Sequence, residues 1–98
     1  MPSQQQSPTV FGTVSGGPWR VPTPSDPSRA AFLVSNSGRP PAGARRVVTE
    51  PGLGTPCMSQ VRPGALVEVE GRVRPRPGSP VREELVARRI TILLQDVG

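Results

Sequence analysis

"ALVEVEGRVRPRPGSP", residues 65–80, is the stretch on which the fold turns. Val67, Val69 and Val73 alternate with Glu68, Glu70, Arg72 and Arg74, so one face of a strand is apolar and the other charged. Pro75, Pro77, Gly78 and Pro80 then forbid any regular element. A half-buried strand therefore runs straight into a stiff, positively charged loop. "EELVARRITILL", residues 83–94, follows. Its Glu and Leu residues tolerate a helix, but the β-branched Val86, Ile90, Thr91 and Ile92 favour a strand.

Upstream, the same patterning gives three shorter strands. "TVFGTVSG", 9–16, alternates well, and its interior Gly12 suggests a bend or a second backbone passing close. "GGPWRVPTPSDPS", 16–28, reads as a proline-studded loop carrying Trp19. "RAAFLVSN", 29–36, is the second strand, "SGRPPAGA", 37–44, a loop, and "RRVVTE", 45–50, the third strand. "PGLGTPCMSQVRPG", 51–64, holds one short helix around Pro56 to Gln60, with Thr55 as N-cap and Pro56 at the first helical position. "MPSQQQSP", 1–8, is polar and uncharged and is expected to be a disordered tail. The order of strand, strand, strand, short helix, strand, strand is that of the all-β OB-fold, a five-stranded Greek-key barrel with the helix between strands 3 and 4. Residues 9–98 then form one domain. Closure of the sheet also removes exposed edges.

Composition limits what such a domain does. The chain has 98 residues, with Pro 14 and Gly 11 but only 34% hydrophobic residues. A core this small is marginal by itself, so association into a homo-oligomer, dimer or tetramer, is expected. A single Cys and no His exclude a disulfide framework and the usual zinc-ligand sets, and no cofactor or metal is expected. Cys57 reads as a small buried apolar residue of the helix. No apolar run approaches the ~20 residues of a membrane span, and the N-terminus lacks the features of a signal peptide. A cytoplasmic protein with no membrane partner is expected. Every basic residue is arginine, which a GC-rich genome also favours, and the net charge is +5. The excess points to an anionic partner, nucleic acid first.

No enzyme signature stands out. Glu83 and Glu84 are adjacent on a strand, hence on opposite faces, and lack a nucleophilic or basic partner motif. "GLGTPC" has neither the spacing nor the Lys of a phosphate-binding loop. Arg88 and Arg89 are likewise expected on opposite faces, one of them pairing with Glu68 or Glu70 across the strands.

Three segments together resemble the bacterial single-stranded DNA-binding protein family: "RRVV" at 45–48, "VRPGALVEVEGRVRPR" at 61–76, and the closing "EELVARRITILL". The fourth strand of that family carries a basic, Gly, small, Leu-Val, Val-Glu-Gly, Arg pattern similar to residues 61–74. "TVFGTVSGGPWRV" and "AAFLVSN" look like its first two strands. The resemblance implies an OB-fold that binds single-stranded DNA without catalysis in replication, repair or recombination, with replication or repair proteins as further partners and a nucleoid location in a bacterium. This chain departs from the family in having only Phe11, Trp19 and Phe32 as aromatics, none of them beside "RRVV". It also ends soon after the last strand, without a long acidic-tipped extension. That ending looks more like the tailless primosomal replication proteins. A protein-docking OB module of primosome type, or an RNA-binding OB domain, are the other readings.

With so few aromatics, binding must lean on charge. Arg72, Arg74, Arg76 and Arg82 flank the loop between strands 4 and 5, one of the two that grip nucleic acid in OB-folds. Prolines hold that loop extended, which lowers the entropy cost of ordering it. Arg45, Arg46 and Arg39 form a second group, with Arg45 and Arg46 on opposite faces. Trp19 is either a stacking platform or a core lid or subunit contact, and Arg20 adjoins it. At least one of Phe11 and Phe32 is expected in the core.

Overall fold

A computed structural model describes residues 9–35, 44–76, 78 and 82–95. The segment read as a disordered tail, 1–8, and Arg39 lie outside the described residues. The elements are β1 (Thr9–Arg20), β2 (Ala30–Ser35), β3 (Arg45–Thr49), α1 (Gly54–Gln60), β4 (Leu66–Pro75) and β5 (Glu83–Leu94). The strands close into a barrel in the order β1-β2-β3-β5-β4, with β4 returning to β1. Every pairing is antiparallel except β3 with β5, where the barrel closes in parallel. This is the expected five-stranded barrel with its helix between β3 and β4.

Alternation fills the barrel. Val14, Phe32, Val34, Val47, Val67, Val69 and Leu85 form one buried cluster with several alanines. Phe32 is fully buried, whereas Phe11 is 55% exposed. Burying a side chain the size of Phe32 or Leu85 contributes about 2–3 kcal/mol, and aliphatic residues supply most of that interior. Helix α1 adds Cys57, Met58 and Val61 to the same cluster. The helix starts earlier than the sequence suggests. Leu53, not Thr55, occupies the N-cap position, without a side-chain cap bond. Pro56 is therefore its third residue, still within the first turn, where a missing N–H costs nothing.

Three further differences arise from strand geometry. First, β1 does not stop at Gly16. It continues through Gly17, Pro18, Trp19 and Arg20, pairing with β2 across two register shifts, so Trp19 lies on a strand and not in a loop. Pro18 is tolerated because those irregularities interrupt the ladder around it. Second, β4 and β5 carry a bulge: Glu70 pairs with Arg89 and Gly71 with Ala87, so Arg88 is the extra residue. Arg88 and Arg89 are both exposed as a result, between core-packed Ala87 and Ile90, instead of on opposite faces. Arg88 does meet Glu70 across the strands, at 3.8 Å. Third, Val73 is 38% exposed although it keeps the core-facing parity and pairs with fully buried Leu85.

Candidate nucleic-acid interface

The outward side of the barrel carries a second apolar cluster. Ala31, Val48 and Val86 are buried there, with Trp19 and Val21 packed on them. Each of the three buried residues is a sequence neighbour of a core residue, so alternation puts it outside. The segment after β1 folds down over this cluster. The Val21 N–H donates to the Arg29 carbonyl at 2.8 Å. Thr23 and Asp26 form a bridge, and Asp26 Oδ1 accepts from the Ser28 N–H at 3.3 Å and its hydroxyl at 3.0 Å. The Arg20 guanidinium donates to the Ser28 carbonyl at 3.2 Å, which ties the exposed Arg20 to this segment.

Between that segment and strands β3, β4 and β5 lies a groove of about 350 Å³. Arg29, Arg46, Arg74 and Arg76 line it with Glu84, and Val21 and Val48 supply apolar surface. Glu84 is its organising charge. Its side chain is only 3% exposed. A lone buried carboxylate is strongly unfavourable, and two guanidiniums offset the cost. Arg46 Nε donates to Oε1 at 3.3 Å. Arg74 Nε donates to Oε2 at 2.8 Å, and its Nη2 lies 2.7 Å from the same oxygen. The Arg46 guanidinium also lies over the Trp19 ring, 5.9 Å from its centroid. Arg29 is set by a bond from its Nε to the Thr49 carbonyl at 3.2 Å. Buried Thr49 also accepts from the Ala30 N–H at 3.1 Å, which fixes the end of β3 against the start of β2.

The residues singled out in the sequence divide on this surface. Arg46, Arg74 and Arg76 line the groove, with Trp19 beside it. Arg72 is exposed and sits 3.8 Å from Glu50. Arg82 is exposed, and its carbonyl accepts the Arg76 N–H at 2.9 Å, extending the hairpin beyond the strands. Arg45 is half-buried at the start of β3. The sequence reading missed Glu84 and Arg29. Glu84 was legible in principle: a hairpin closing symmetrically on Arg76 and Arg82 puts Arg74 opposite Glu84, as observed. Arg29 has no such signal, because its place depends on how the preceding segment folds back.

Four guanidiniums against one carboxylate suit an anion, since each fork can bond phosphate oxygens in pairs. An indole beside them offers a surface for a base. Among the described residues, no group of three or more His, Cys, Asp or Glu converges as metal ligands, and no helix is long and apolar enough to cross a membrane. Cys57 is buried in α1, and burial pushes its thiol up to about 11, so it is not poised as a nucleophile.

No protein-family model matches the sequence, and no curated protein matches it. Solved structures do match the fold. The SSB domain of a Synechococcus protein is 20% identical, with a TM-score of 0.68 over 92% of this chain and 98% of that one. A small single-stranded DNA-binding protein from Streptomyces coelicolor is 17% identical, with a TM-score of 0.71 over 91% and 94%. The mitochondrial single-stranded DNA-binding protein Rim1 from S. cerevisiae is 17% identical, with a TM-score of 0.71 over 92% and 97%. The chain shares the fold of these domains along nearly its whole length.

Proposed function

We propose that this protein is a non-catalytic single-stranded DNA-binding protein that acts in DNA replication, repair or recombination. The observation that carries the reading is the groove lined by Arg29, Arg46, Arg74 and Arg76, with Trp19 alongside, on the outer face of an OB barrel. The guanidiniums hold phosphates, and the part of the half-buried indole left exposed beside them contacts a base. The fold shared with an SSB domain and with two proteins named for binding single-stranded DNA supports the same reading. Arg72 and Arg82, both exposed, extend the basic track, as does Arg20 in part, whereas Arg45 has the parity of core-facing Val47, opposite to Arg46.

A homo-oligomer belongs to this reading. Phe11, Leu93 and Leu94 are 55%, 45% and 66% exposed, on β1 and β5, which both flank β4. Apolar side chains so exposed favour burial against another copy. They equally favour a protein-docking role in a replisome, and they lie apart from the residues that line the arginine groove. Sedimentation of the wild type and of Phe11→Asp separates the two: self-association that the charge abolishes supports the oligomer.

The deciding experiment is fluorescence anisotropy with a labelled oligothymidine, its duplex and the ribo-oligomer of the same length, each over a range of salt. The reading requires tight, salt-sensitive binding to the single DNA strand and weaker binding to the duplex. No binding to any of them at low salt transfers the function to protein docking. Preference for the ribo-oligomer transfers it to RNA.

A further inference from the structure

We infer that Glu84 is a positioning residue for the single-strand site: its carboxylate fixes the guanidiniums of Arg46 and Arg74 in the groove and, through Arg46, sets the cover over Trp19. This inference rests on the single-strand reading above.

A carboxylate in an anion-binding groove is unexpected on charge alone. It repels phosphate and cancels part of the arginine charge that counterion release depends on. Yet the fold buries it at the point where three strands converge, with Arg46 on β3, Arg74 on β4 and Glu84 itself on β5. Arg46 and Arg74 have long side chains that would sample many rotamers on an open surface. Glu84 removes that freedom before any ligand arrives, which lowers the ordering cost of binding.

The geometry leaves the arginines usable. Glu84 takes one N–H from Arg46 and one from Arg74, whose Nη2 also lies 2.7 Å from Oε2. A guanidinium carries five donors, so most of them remain for phosphate oxygens. Arg46 meets Glu84 through its Nε edge, and its guanidinium carbon lies over Trp19, 5.9 Å from the ring centroid. A planar, delocalised cation makes both contacts at once, whereas an ammonium has no such edge and face.

Charge and positioning predict opposite signs for loss of Glu84. If it acts only as a charge, Glu84→Gln frees two arginines, tightens binding and steepens the salt dependence. If it positions, the same change weakens binding although the groove becomes more positive. The test measures oligothymidine affinity over a salt series for the full chain, with melting recorded alongside. Acrylamide quenching of Trp19, the only tryptophan in a chain without tyrosine, is measured in the unliganded protein. The expected result is affinity about tenfold weaker for Glu84→Gln, partial recovery with Glu84→Asp, and Trp19 more open to acrylamide, all at a temperature where the variant stays folded. Equal or tighter binding by Glu84→Gln overturns the inference. If Glu84→Gln does not fold, Arg46→Lys decides. It keeps the charge but loses the Nε bond and planar face, and must likewise weaken binding and expose Trp19. Unchanged affinity and quenching in that variant overturn the inference. A wild type that binds no oligothymidine is a different result, and it removes the single-strand reading itself.

Discussion

The Arg46 guanidinium stands 5.9 Å from the centroid of the Trp19 ring. That cation–π contact couples the basic groove to the apolar cluster of Ala31, Val48 and Val86, against which the indole also packs. Trp19→Ala therefore acts on two quantities. Removing the packing of a half-buried indole lowers stability by about 2 kcal/mol, less than the ~3–5 of a fully buried one. Removing the stacking surface weakens oligothymidine binding by ~1–3 kcal/mol. Trp19→Phe keeps most of both. Denaturant melts and anisotropy check the pair of outcomes.

Arg72 and Arg74 sit two residues apart on β4 but in different electrostatic settings. Arg72 meets Glu50 at 3.8 Å with most of its side chain in water, so Arg72→Ala changes stability by less than about 1 kcal/mol. Arg74 holds buried Glu84. Arg74→Ala leaves that carboxylate with Arg46 alone and costs about 1–3 kcal/mol. Each substitution shortens the salt slope of oligothymidine binding by about 0.7 for every phosphate the arginine had neutralised. Chemical melts and salt titrations on the two single variants separate the roles.

Gly71 lies at the β4–β5 bulge, where a Cβ would run into the Val86 carbonyl. The obstacle is backbone in a closed barrel and has nowhere to move. Gly71→Ala should cost about 2–3 kcal/mol or more, a fall of roughly 10 °C or more in melting temperature. Gly52, with φ of 93° and open space around it, is the contrast. Gly52→Ala carries only the left-handed backbone penalty of about 1–2 kcal/mol.

Cys57 gives a pH signature. Its thiol ordinarily ionises near 9.0, and burial raises this to about 11 in the folded chain. The unfolded chain loses the proton first. The contribution of the buried neutral thiol is therefore complete below pH 9 and declines as pH rises through 11, by about 2–3 kcal/mol. Cys57→Ala removes this decline while costing packing at every pH. Urea melts between pH 8 and 11 on both proteins measure it, and a thiol reagent should label native Cys57 slowly at neutral pH.

The barrel was legible because its strands obey simple alternation. Residues 65–74 and 83–94 announce the long hairpin, and "RRVV" and "AAFLV" supply the short strands, whose β-branched and small residues fill the interior. What escaped was local irregularity. The register shifts that carry β1 through Gly17 and Pro18 to Trp19, and the bulge that exposes both Arg88 and Arg89, come from closing a twisted sheet, and the glycines that permit them do not announce the register in sequence. The site was half legible. Arg46, Arg74, Arg76 and Trp19 stand out as charge and aromaticity in sequence. Glu84 does not, because its importance lies in being buried between two arginines from other strands, and burial of a charge is a tertiary fact. Phe11 and Phe32 make the same point. Both occupy strands, and only the parity of each strand against the core separates the exposed ring from the buried one.

The most direct test of the central claim is a titration of the wild-type protein with oligothymidine, following Trp19 fluorescence across salt. Trp19 is the sole tryptophan and no tyrosine competes, so the signal reports the groove. The account predicts saturable quenching whose log affinity falls linearly with log salt, with a slope of about −2 to −3 for the four groove arginines. Binding that leaves Trp19 unchanged, or no binding at low salt, would contradict it.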